Sequence, residues 1–212
     1  MSIHVLGDWG GFPDSPPAAD VAAPRQALPA AAVRDADPAA SPPELRTVSG
    51  DTVFVPALNA AELERFCAEN RIPMRHRPDV WGDLLEPFLD TWFDARHQAE
   101  TLDRLARNGV GHAEAVRIRE RVGPLVAAYN SGHGDWCHLG LADLLDAAAS
   151  DLVPAELRIR PQDRAAFRAW AMEIADRPDA KHLQRPGLSP GGAGRQGAPP
   201  SPLGPGEGPV RP

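Results

Sequence analysis

The spacing of apolar residues changes several times along the chain, and each change predicts an element. Across residues 47–55, β-branched side chains flank the turn Ser49-Gly50-Asp51, which predicts a short hairpin closed by Pro56. Leu58, Leu63 and Phe66 then share one stripe behind the capping pair Asn59 and Glu62, predicting a helix over 60–70. Residues 79–86 read as a short helix. Pro87 opens a longer one to Asn108, on whose apolar face Leu85, Phe88, Leu89, Trp92, Leu102 and Leu105 recur at helical spacing. A further helix over 112–129 carries Val116, Val122, Leu125, Val126 and Tyr129 inward, and Gly123-Pro124 should bend it. After a loop at 130–134, Asp135 caps a helix to Ala149. A last helix starts near Pro161 and ends near Asp176, with Phe167, Trp170, Ala171 and Ile174 on its inner face.

Outside this block no period holds. Residues 1–46 interleave Pro and Ala with isolated acids, and residues 177–212 alternate Gly and Pro. Neither arm has the apolar surface to offset the entropy of ordering it, so both are expected to be disordered. Four of the five Trp, five of the six Phe and both Cys lie within residues 47–176. The predicted fold class is therefore mainly α: one compact domain of five or six helices over 47–176 with a small N-terminal β-hairpin, flanked by disordered arms.

Charge narrows the function classes. The formal net charge of -7 divides into -3 over residues 1–46, -7 over 47–176 and +3 over 177–212. An acidic domain is a poor general ligand for nucleic acid or an anionic membrane. No run of 18 apolar residues is present, so no membrane partner is expected. Cys67 and Cys137 form no close pair, which suits reduced thiols and a cytoplasmic location. The first dozen residues lack the basic start of a secretory signal.

Three groups of residues carry candidate chemistry. His133, Asp135, Cys137 and His138 place four potential metal ligands within six positions; His133, Asp135 and His138 are the candidate ligand set for zinc or another divalent ion. Against that, Asp135 is placed to cap a helix, and Cys137 falls on the same helical face as Leu141, Leu144 and Leu145, so core and cap roles explain the segment without a cofactor. Asp90, Asp94, His97, Thr101 and Arg104 make a polar stripe that reads as solvated surface. Arg71, Arg75, His76 and Arg77, together with Arg160, Arg164 and Arg168, could form a phosphate-binding patch if they met, although neighbouring acids suggest local ion pairing instead.

Phosphate-cradling loops, dinucleotide fingerprints and nucleophile elbows are missing. The reading that remains is a non-catalytic protein–protein interaction or regulatory module with an unidentified protein partner. Trp81, Arg75 and Arg77 are its candidate contacts, and Trp92 is a second candidate anchor. A metal-dependent enzyme using the His133–His138 loop and a nucleic-acid binder using the Arg clusters are the alternatives.

Overall fold

A computed structural model describes residues 2–5, 26–134 and 137–177. Among them are six α-helices and a small antiparallel sheet, so the mainly helical expectation holds. Strands β1 (Ser2–Val5) and β2 (Gln26–Pro29) pair with each other. Strands β3 (Val33–Asp37), β4 (Glu44–Thr47) and β5 (Thr52–Phe54) form a separate three-stranded sheet in that order. The expected hairpin is the β4–β5 pair. Its partner β3, and most of β4, lie in the stretch that composition places in the leader, so ordered structure begins well before Thr47.

Register explains why these strands escape a search for apolar alternation. Asp37 pairs with Glu44 and Asp35 with Arg46, and across β4 Glu44 pairs with Phe54 and Arg46 with Thr52. Side chains alternate faces along a strand. One face therefore gathers Asp35, Asp37, Glu44, Arg46, Thr52 and Phe54, and the opposite face gathers Ala36, Leu45 and Val53. The apolar face packs with Leu63, Phe66 and Cys67 of α1 (Ala60–Asn70) and with Ile72 in one core. The polar face is not given to water: Asp35, Asp37, Glu44, Arg46 and Thr52 are all buried.

What covers that face is the helical part. Its core is built by α2 (Val80–Leu85), α3 (Ala95–Arg107), α4 (His112–His133), α5 (Leu141–Ala147) and α6 (Arg164–Ala175). Trp81 sits at its centre, 1% exposed, donating its indole N–H to the Ala171 carbonyl at 2.9 Å and meeting Trp170 edge-on. Between α1 and α2 the chain runs alongside β3: Ala36 donates to the Pro73 carbonyl and Arg75 N–H donates to that of Ala36.

Three helix boundaries differ from expectation. The single helix predicted over 87–108 is broken: Glu86–Phe88 is one tight 3-10 turn, residues 89–94 are non-helical, and Asp94 starts α3 by accepting from His97 N–H at 2.8 Å. α4 continues through the expected loop to His133. The following helix starts at Leu141 rather than after Asp135, because the Asp143 carboxylate holds the Gly140 N–H at 2.8 Å and fixes the first turn there. Asp135 itself lies outside the described residues, as do the tail from residue 178 and residues 6–25. No helix among the described residues is long and apolar enough to cross a membrane.

Candidate functional site

The polar sheet face and α2 enclose a cavity of about 270 Å³. Its floor is an ion network. Arg77 bonds the Asp35 carboxylate through one guanidinium nitrogen and lies 3.5 Å from Glu44 through another, while its backbone N–H donates to Asp37 at 2.8 Å. Arg46 donates through Nε to Glu44 Oε1 at 3.2 Å, and its Nη1 reaches the Thr52 hydroxyl, the Met172 sulfur at 3.1 Å and Asp176 at 3.5 Å. Arg34 closes on Asp35 from the solvent side at 2.8 Å.

These neighbours set the carboxyls apart. Burial works to raise the Asp35 pKa, but the hydrogen bonds from Arg34 and Arg77 outweigh it and hold this carboxyl below the usual range. Glu44 ends on the other side: burial pushes it up, Asp37 adds to the push, and Arg46 and Arg77 offset only part.

At the cavity rim Asp79 and His138 form a pair, Nε2 to Oδ2 at 2.7 Å. The other Asp79 oxygen caps α2 by accepting from Gly82 N–H at 2.8 Å. Two glycines make room for this arrangement. A Cβ on Gly82 would overlap the Asp79 carboxylate, and one on Gly140 would fall 2.8 Å from His138 Cε1. Phe54, Val80, Trp81, Leu141 and Ala142 supply the apolar wall.

A second feature follows α2 in the chain. In the loop 89–94, Trp92 is 86% exposed, yet the loop is tied at both ends. Asn130 donates to the Phe88 carbonyl at 3.0 Å, Gln98 donates to that of Phe93 at 3.0 Å, and the Phe93 ring stacks on His97 at 4.6 Å. His97 in turn meets Glu86 at 2.7 Å, and Thr101 donates to the other Glu86 oxygen. The stripe expected to be solvated thus pins α3 to the turn after α2: Thr101 is buried, and Arg104 pairs with Asp83 at 2.8 Å.

The sequence-derived candidates scatter. Trp81 is a core residue and not a surface anchor, because its short helix is buried on the side that follows the break at Pro78. Arg77 is buried in the ion network, whereas Arg75 is exposed. His133 stacks on Tyr129 at 5.0 Å and His138 faces Asp79. Asp135 cannot be placed with them, and no group of three or more His, Cys, Asp or Glu among the described residues has the geometry to hold a metal ion. Cys137 is exposed, contrary to its predicted core position, since α5 starts four residues after it; Cys67 is buried, which pushes its thiol pKa up. The last-helix arginines are engaged locally: Arg160 with Asp163, Arg164 with the Ile159 carbonyl, Arg168 with the Thr52 carbonyl and Asp51.

Asp35, Asp37, Glu44, Arg46 and Asp79 are the site residues that sequence reasoning passed over. The signal available was the pair of i, i+2 repeats, Asp35/Asp37 and Glu44/Arg46, which on strands share one face. Comparison with family models, with curated proteins and with solved structures finds no match.

Proposed function

We propose that this chain is a non-catalytic interaction module that recognises another protein through the loop 89–94, with Trp92 as the anchor. The observation that carries the reading is the combination of an indole 86% exposed with a loop whose backbone is bonded on both sides. An exposed aromatic on a mobile loop must be ordered when it binds. One that is already held loses little conformational freedom, and such residues supply most of the binding energy at interfaces. Asp90 and Asp94 flank Trp92 in the chain and both are exposed, so the partner surface that fits is an apolar pocket with a basic rim.

This reading treats the described residues as one compact domain that presents a surface. It also keeps the cytoplasmic assignment, which rests on two cysteines that form no disulfide. The test is capture of partners by the full chain, with Trp92→Ala in parallel, followed by calorimetry on any protein recovered. The expected loss on Trp92→Ala is about 2 kcal/mol, or about thirtyfold in affinity. A partner bound equally well by both proteins would remove Trp92 from the interface and the reading with it.

A further inference from the structure

The cavity above the ion network is independent of the Trp92 loop. Glu44 and Arg46 line it, with side chains only 9% and 3% exposed. They share a single contact, Nε to Oε1. Oε1 also faces Arg77, and Nη1 is occupied by Thr52, Met172 and Asp176. Glu44 Oε2 and Arg46 Nη2 have no hydrogen bond among the described residues. Neither is among the sealed side-chain atoms that lack a hydrogen bond; among the described residues that atom is Asp176 Oδ1, which is ion-paired with Arg46 Nη1 at 3.5 Å. Because both residues are otherwise buried, their open poles meet solvent through the cavity they line.

We propose that this cavity binds a small zwitterion of the amino-acid type, its ammonium on Glu44 Oε2, its carboxylate on Arg46 Nη2 and its side chain against Trp81, Phe54 and Leu141. The charge pattern selects the class. A simple amine would satisfy Glu44 and set a second cation beside Arg46, and a simple acid would do the reverse. A ligand that carries both charges satisfies both poles at once. A chain terminus carries only one of the two, which excludes peptide ends. Size agrees, since about 270 Å³ lies below the roughly 300 Å³ at which pockets for drug-sized ligands begin.

The experiment is calorimetry and thermal unfolding of the full chain with leucine and phenylalanine, against 3-methylbutylamine and 4-methylpentanoate, which are leucine without its carboxylate and without its amine. An apolar amino acid is expected to bind at concentrations up to about 10 mM and to raise Tm, with each single-charge analogue weaker by about tenfold or more. Glu44→Gln should weaken the amino acid by about tenfold or more. Ala40→Phe, at a half-buried residue that lines the cavity, separates loss of ligand from loss of fold, because it fills cavity space without removing a buried charge. It should abolish binding in a protein whose circular dichroism is native. The proposal is overturned if neither amino acid binds by about 10 mM, if the amine or the acid binds as tightly as leucine, or if Ala40→Phe binds like the parent.

Discussion

Trp81 and Trp92 are eleven positions apart in a stretch of helical periodicity, yet they should respond to truncation in opposite ways. Trp81→Ala removes an indole that is 1% exposed, its 2.9 Å bond to the Ala171 carbonyl and its edge-on contact with Trp170. Truncating a large buried aromatic costs about 3–5 kcal/mol, a range that already contains the lost transfer energy and the residual cavity. The bond and the ring contact, each worth about 1 kcal/mol, put this site toward the upper part. With a denaturant slope of about 2 kcal/mol/M for a chain of this size, a loss of about 4 kcal/mol moves the urea midpoint down by about 2 M. Trp92→Ala, on an exposed ring, should stay within about 0.5 kcal/mol, or about 0.3 M. Far-ultraviolet circular dichroism is the appropriate signal, since both variants alter fluorescence. If the two midpoints fall together, the division of these tryptophans between core and surface is wrong, and the proposed anchor goes with it.

Arg77→Met takes the buried guanidinium away from Asp35 and Glu44, while the backbone N–H to Asp37 stays, and should cost about 3 kcal/mol, whereas Arg75→Met, on an exposed side chain, should be near neutral; similar urea midpoints for the two would contradict the buried network. Glu44→Gln should change sign-dependent stability with pH. A carboxyl whose folded pKa is raised binds its proton more tightly folded than unfolded, so its ionisation opposes folding as pH rises from about 4 toward neutrality. The variant should therefore gain on the parent across that window, and a difference that is flat or moves the other way would refute the assignment. Asp35 has the opposite sign: its contribution is present above the unfolded value of about 3.9 and is lost as pH falls through its lower folded pKa, so Asp35→Asn should cost most near neutrality and least in strong acid. Gly82→Ala, which in an ordinary helix interior would stabilise by about 1 kcal/mol, should destabilise, because the new Cβ overlaps the Asp79 carboxylate that caps α2 and holds His138; a raised Tm would count against that geometry.

Helical periodicity found α1, α2, α4 and α6 to within a few residues, because each buries an apolar stripe, α1 against the core behind the sheet and the others against the core around Trp81. It failed at residues 89–94 for a physical reason. Phe88 and Leu89 do pack on the core, and Leu102 and Leu105 do too, so the apolar spacing on either side is real. What periodicity cannot register is that Asp94 captures the His97 N–H and restarts the helix with Trp92 turned outward. The sheet was hidden differently. Strand recognition looks for an apolar face, and in β3 and β4 the apolar face amounts to little more than Ala36 and Leu45 beside two rows of charge. In a segment crowded with Pro and Ala, that pattern reads as solvated chain. The cavity was illegible for the same reason, since its floor is those charges.

Burying four ionisable groups on one sheet face, with Arg77 set against them, is a costly way to hold a fold together, because ion pairs inside a protein barely recover their desolvation. Their value here lies in register. A one-residue slip of β4 against β3 would turn Leu45 toward the helical core and move Glu44 and Arg46 away from Arg77, Thr52 and Met172, so the bonds to those three residues would be lost together. The charged layer also keeps two apolar cores apart, one behind the sheet around α1 and one in front around Trp81. Where charged floor and apolar wall meet, the surfaces do not interdigitate as two apolar faces would, and that seam is where the cavity opens. The polar face thus serves two ends at once: it specifies which residues of three short strands lie opposite one another, and it puts Glu44 and Arg46 on the wall of a cavity with room for the small charged molecule proposed above.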